Sequence, residues 1–204
     1  MQLETFIAAT FDALIFDCDN TLAHTAPLHF ACLREVLRMY GHELDEAWYR
    51  KRVGMSGGDL MRDIAQRDGH APPWESVAAE LPTRYRRVVS RVEEIAHITA
   101  LVRRYTGRMP MAVASGSTGA LVEATLRAIG LQDCFDAVVS LDDVCIGKPS
   151  PAIFLEAARR LKVAPERCLV FEDSVEGFEA ARRARMQVLD VASMRAPEVA
   201  WRRK

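Results

Sequence analysis

The sequence predicts an α/β fold in which a parallel sheet is flanked by helices and carries an all-helical insertion after its first strand. Three observations predict it. Short apolar runs without helical charge patterning recur at 12–17, 110–115, 136–140, 167–172 and 187–191. From residue 96 onward these runs alternate with helical stretches at 96–105, 118–129, 151–161 and 175–185, the pattern of right-handed crossovers in a parallel sheet. Between the first run and the second, residues 23–95 offer several helices and no strand.

Taken in order, Asp12-Ala13-Leu14-Ile15-Phe16-Asp17 reads as a first buried strand. The insertion opens with an amphipathic stretch that has Thr25 as N-cap, Pro27 early and Gly41 past its end. Asp45 suits the cap of a helix over 46–52, Ser56 opens 57–68, and Gly69 closes it. Pro72-Pro73 then punctuates before a helical stretch over 74–92, which Pro82 is expected to interrupt. In the second half, Gly130 ends helix 118–129, and Gly147-Lys148-Pro149 marks a loop.

Composition narrows the class of partner. The chain of 204 residues is 50% hydrophobic and 27% charged with a net charge of −1, an ordinary globular balance with no block that would attract nucleic acid or an anionic membrane. The basic tail Arg202-Arg203-Lys204 reads as a solvated end. Five cysteines, an odd number without a C-x-x-C pair, point to reduced thiols and a cytoplasmic protein. No apolar run reaches membrane-spanning length, and Met1–Thr10 lacks the pattern of a signal peptide.

Ligand sites in parallel sheets lie at the carboxyl ends of the strands. The first strand ends in Asp17 and Asp19, which strand alternation keeps on one side while sending Cys18 to the other. Two such carboxylates form an oxygen site for Mg²⁺ or divide the labour of attack and proton transfer; Asp also simply terminates strands. A D-x-D-x-T spelling arises by chance in a chain this long on the order of a few per cent of the time, so partners are needed. Ser115-Gly116-Ser117 follows the second strand, Lys148 lies in the loop after the third, and Glu172-Asp173 ends the fourth. Carboxylates to hold Mg²⁺, an ammonium to neutralise phosphate, and a hydroxyl with a glycine turn at a helix N-terminus are what phosphoryl transfer requires. Each part has a plainer reading: Ser115 and Ser117 as N-caps of helix 118–129, Lys148 as a solvated loop lysine, Glu172-Asp173-Ser174 as an acidic cap of helix 175–185. Against these stands the single fold that brings all of them to one sheet edge.

Asp17-Cys18-Asp19-Asn20-Thr21-Leu22, Ser115, Lys148-Pro149 and Glu172-Asp173-Ser174-Val175-Glu176-Gly177, in that order, resemble the four motifs of the haloacid dehalogenase superfamily. Within it the chain is most similar to the branch of sugar-phosphate phosphatases and β-phosphoglucomutases. The resemblance implies a Rossmann-like core (1–22 and 96–204) and a helical cap domain (23–95). It implies Mg²⁺-dependent hydrolysis of a small phosphate ester, a sugar phosphate above all, through an aspartyl-phosphate. By position, Asp17 is the nucleophile and Asp19 the general acid and base. Ser115, Gly116 and Lys148 bind phosphate. Asp173, helped by Glu172, completes the metal site with Asp17 and the backbone carbonyl of Asp19. In the cap, His29 matches a histidine that meets Asp19 or substrate, its alternative being a plain seam residue, and Ser56 lies on the substrate loop.

Some positions depart from that pattern. Asn20 stands where the family commonly has Gly, and Asn tolerates the left-handed backbone a turn there requires. Arg185 replaces a Gly at a helix end, where it is either strained or differently placed. His97 lies near where relatives carry a Pro-Gly hinge. Asp19 argues against dehalogenase chemistry, because a halide leaves without a proton. Phosphonate-cleaving relatives use a cap lysine, and the cap here holds only Lys51. Gly57 occupies the place where the mutases present an arginine to a second phosphate, which favours hydrolysis over the alternative of a phosphosugar mutase. A non-catalytic phosphate-binding module is the alternative of another class. Arg84, Arg86 and Arg87 read as replacement cations or as a solvated face.

Overall fold

The computed structural model describes residues 3–52 and 57–195. Five parallel strands, β1 (Ala13–Phe16), β2 (Met111–Ala114), β3 (Ala137–Val139), β4 (Cys168–Glu172) and β5 (Gln187–Asp190), form one sheet in the order β3-β2-β1-β4-β5. β1 is therefore central, with Ile15 paired to Ala112 on one side and Val170 on the other.

Alternation along the strands assigns the two faces. Leu14 and Phe16, with Met111, Val113, Leu169 and Phe171, pack beneath α1 (Leu3–Thr10), α6 (Ala96–Tyr105) and α7 (Gly119–Ala128). Phe16 and Phe171 stack there at 4.6 Å. On the opposite face, the small residues Ala13, Ala112 and Ala114 leave room for α9 (Ala152–Leu161) and α10 (Val175–Arg183) to approach closely through Ile153, Phe154, Ala157, Ala180 and Ala181. α8 (Leu141–Val144) follows β3. The sequence reading leaves α1 and α8 unassigned.

The insertion holds α2 (Ala26–Met39), α3 (Glu46–Arg50), α4 (Gly57–Asp68) and α5 (Trp74–Val88), built around Phe30, Leu33, Val36, Leu37, Leu60, Ile64 and Val77. Its two crossings to the sheet run side by side: Ile95 N–H donates to the Leu22 carbonyl at 2.8 Å, and His24 N–H to the Glu93 carbonyl at 2.9 Å. His97 is exposed on α6 and takes no part in that pairing. Among the described residues no helix is long and apolar enough to cross a membrane.

Two local expectations are corrected. Pro82 does not interrupt α5, which runs through it. Burial of Val77 on one side of the proline and Tyr85 on the other holds the helix across the missing hydrogen bond. Thr25 precedes α2 but its hydroxyl caps nothing, being spent on Asp19; the Asn20 side chain accepts the Ala26 N–H instead, at 3.1 Å.

Candidate active site

The carboxyl ends of β1, β2 and β4 and the loop after α8 meet at a cavity of about 570 Å³ whose opposite wall comes from the insertion. Asp17, Asp19, Gly116, Lys148, Glu172 and Asp173 line it from the sheet side; His29, Tyr49, Leu60, Met61 and Trp74 line it from the insertion. Cys18, between the two aspartates, turns into the core with Leu14 and Phe16, as strand alternation requires. Asn20 adopts φ +59°, so the left-handed turn after Asp19 is made without glycine.

Lys148 is no solvated loop residue. Its side chain is 9% exposed, and Nζ donates to Asp17 Oδ1 at 2.6 Å and to Glu172 Oε2 at 2.7 Å. Burial works against the lysine's charge, but the Asp17 and Glu172 carboxylates outweigh it and hold the ammonium above the ordinary lysine range. Asp17 is pushed well up by burial and by the charge of Glu172, with Lys148 opposing. Asp173 rises to about 7 for the same first two reasons.

Glu172 is bound at both ends. Its Oε1 accepts from Ser174 Oγ at 2.8 Å and from the N–H groups of Ser174 and Asp173 at 3.1 and 3.2 Å. Ser174 in turn caps α10, accepting from Gly177 N–H. The acidic-cap reading of this stretch thus applies to Ser174, while Glu172 faces Lys148. Asp17, Glu172 and Asp173 each present a carboxylate oxygen, all within 4.8 Å of one another. One buried ammonium does not neutralise three carboxylates, and hard anionic oxygens at this spacing fit a divalent cation. The Asp19 carboxylate lies outside that trio.

Asp19 has different surroundings. Its Oδ1 accepts from Thr25 Oγ1 at 2.7 Å and lies 3.0 Å from His29 Nε2; its Oδ2 accepts from Ser117 Oγ at 2.7 Å and from Ser115 Oγ at 3.3 Å. Burial alone would raise this carboxyl, but His29, Thr25 and Ser117 together hold it below the usual carboxylate range. Ser115 and Ser117 therefore do not cap α7, whose N-cap is Thr118 without a side-chain bond. Ser115 itself is fully buried and accepts Ser117 N–H at 3.1 Å, leaving Gly116 and Ser117 on the cavity wall.

Sequence reasoning missed Thr25 and Ser117 as Asp19 partners. Their hydroxyls look like caps at the level of sequence, and only the fold redirects them. Ser56, expected on the substrate loop, lies outside the described residues. His29 meets Asp19, not a plain seam. Arg84 pairs with Glu35 at 3.1 Å and does not line the cavity. Gly57 does line it, and a Cβ there would overlap the Trp74 ring, so the indole fills the space a side chain at 57 would need.

Known proteins resemble this chain in sequence and fold. The family model of haloacid dehalogenase-like hydrolases matches residues 14–191. The chain is 37% identical over 189 residues to the fructose-1-phosphate phosphatase YqaB of Escherichia coli, covering 89% of this chain and 96% of that protein. It is 33% identical over 179 residues to a phosphorylated carbohydrates phosphatase of Thermotoga maritima, covering 85% of this chain and 81% of that one. Among solved structures, CbbY from Rhodobacter sphaeroides in complex with phosphate superposes with a TM-score of 0.77 at 29% identity, covering 87% of this chain and 84% of that chain. The family match spans most of the chain, and the chain belongs to the haloacid dehalogenase-like hydrolase family.

Proposed function

We propose that the protein is a Mg²⁺-dependent phosphomonoesterase that hydrolyses a small phosphorylated carbohydrate through an aspartyl-phosphate. The observation that carries this reading is the contrast between two aspartates on one cavity. Asp17 sits among Lys148 and two further acids, while Asp19 sits among hydroxyls and an imidazole.

Asp17 attacks phosphorus, forming an acyl phosphate as the ester P–O bond breaks, and Asp19 gives its proton to the departing alkoxide. Asp19 then takes a proton from the water that attacks phosphorus, releasing inorganic phosphate and regenerating Asp17. Protonation of Asp19 is favoured by the arriving phosphate, whose negative charge raises a neighbouring carboxyl. Ser115, Gly116 and Lys148 hold the phosphate oxygens. At 3.3 Å the Ser115 hydroxyl makes the longest of the four contacts to Asp19, and so the one most easily given up to a phosphate oxygen. Asp17, Glu172, Asp173 and the Asp19 backbone carbonyl would hold Mg²⁺. When bound, the ion supplies charge neutralisation for the phosphate and for the acid trio.

Residues 23–95 serve as a cap over the core formed by 1–22 and 96–204, bending where the paired crossings join them. The Trp74 indole at Gly57 supports hydrolysis over phosphate exchange, since among the described residues no lysine or arginine of the insertion lines the cavity to grip a second phosphate. A cytoplasmic home is supported by five free cysteines.

A phosphate-release screen over sugar phosphates, phosphoglycolate and nucleotides, run with Mg²⁺, tests the substrate class. Release from fructose 1-phosphate or a related sugar monophosphate is expected. Asp17→Asn is expected to abolish turnover of p-nitrophenyl phosphate. Equal activity of wild type and variant would sink the assignment of the nucleophile.

A further inference from the structure

Tyr85 on α5 is 1% exposed, and nothing in the chemistry above uses it. Its ring lies against the His29 imidazole, with 4.7 Å between centroids and 14° between planes. Its hydroxyl crosses to the core and stands 2.9 Å from Thr125 Oγ1 on α7. Thr125 spends its one hydroxyl proton on the Leu121 carbonyl at 3.0 Å, so Tyr85 is the donor to Thr125. Burial raises the phenol above its ordinary range, which keeps it a donor at neutral pH.

A continuous line of contacts therefore runs from α7 through Tyr85 and His29 to Asp19 Oδ1, 3.0 Å from His29 Nε2. An imidazole held by a single hydrogen bond swings about its χ2 bond; a parallel ring at van der Waals distance removes that freedom. Tyr85 supplies the ring, and its bond to Thr125 anchors the ring to the core and not to the insertion that carries it.

Building on the reading of Asp19 as the acid for the leaving group, we propose that Tyr85 is a positioning residue. Seated against Thr125, it fixes the His29 imidazole in the orientation that meets Asp19. Protonation of the leaving group is thereby tied to seating of the insertion on the core.

The dependence on leaving group separates this role from plain packing. An alkoxide must be protonated as it leaves, whereas p-nitrophenolate departs without a proton. kcat/KM covers the steps up to leaving-group release, so it is the quantity to compare. With the best sugar phosphate of the release screen, Tyr85→Leu is expected to lower kcat/KM about tenfold or more, against no more than about twofold with p-nitrophenyl phosphate. Tyr85→Phe and Thr125→Val, which keep a ring or its surroundings but lose the hydroxyl bond, are expected to lose about threefold on the sugar phosphate with the same selectivity. If Tyr85→Leu does not fold, these two variants decide the matter. Equal losses on both substrates, or none on the sugar phosphate, would overturn the proposal. Asp17→Asn serves as the independent control: full activity there refutes the assignment of Asp17 as nucleophile, and no phosphate release by wild type from any ester refutes the phosphatase reading, whatever Tyr85 does.

Discussion

The ammonium of Lys148 lies 2.6 Å from the Asp17 carboxylate with both side chains more than nine-tenths buried. A loop lysine has become the internal counter-ion of a strand-end acid 131 residues away in sequence. Removing one member of a buried pair leaves the other uncompensated, which costs more than the pair itself contributes.

Lys148→Met should therefore cost about 3–5 kcal/mol of stability in metal-free protein, because Asp17, Glu172 and Asp173 lose their cation. Thermal unfolding with and without millimolar Mg²⁺ checks this. The stabilisation by Mg²⁺ should be larger in the variant than in wild type, and an equal increment would contradict the charge argument.

Gly177 on α10 has no room for a side chain, since a Cβ there would overlap Glu172 Cδ and Oε2. Gly177→Ala should push Glu172 away from Lys148, lowering stability by about 1–3 kcal/mol. Mg²⁺ titration followed by calorimetry should show weaker binding in the variant, linking a helix glycine to the acid trio.

In the insertion, Asp68 accepts from Arg67 at 2.6 Å and from the buried His42 at 2.7 Å. The Arg67 hydrogen bond, joined by that of His42, holds the Asp68 carboxyl well below the usual range. A depressed carboxyl pKa means that the folded state binds the proton less tightly than the unfolded one. The stabilisation is thus present above the ordinary value of 3.8 and lost as pH falls through the folded value. Asp68→Asn should lower stability by about 1–2 kcal/mol at pH 7, and the gap from wild type should close as denaturation curves are taken below about pH 4.

Arg185, just past the Ala184 C-cap of α10, has φ +61°, and Met186 N–H returns to the Ala181 carbonyl at 3.0 Å, a left-handed turn after the helix made by a residue with a Cβ. Its side chain is 82% exposed and its contact with Glu166 is 3.9 Å, so little is lost by deleting it. Arg185→Gly should raise stability by about 1 kcal/mol with turnover unchanged, visible as a higher melting temperature.

Much of the fold was legible in the chain because parallel strands buried on both faces leave apolar runs, and glycines and prolines mark their ends. Gly41, Gly69 and Gly130 all take the positive φ that their positions past a helix end suggest. Pro82 misled because local propensity yields to packing: a proline between two buried residues is carried by the helix around it. Thr25 and Ser117 misled for a related reason. A hydroxyl before a helix reads as a cap, yet both bond Asp19, a partner that sequence distance hides.

The sequence by itself determined the order of the elements, the strand-end acids and the presence of a lysine and a serine turn, since these depend on local patterning and on one rule about where parallel sheets bind ligands. Only the tertiary structure decided how the two aspartates differ. Which carboxylate meets Lys148 and which meets His29, Thr25 and Ser117 depends on three-dimensional neighbours drawn from the sheet and from the insertion. Charge and hydrogen bonding act through space, and at these separations along the chain only folding sets the distance.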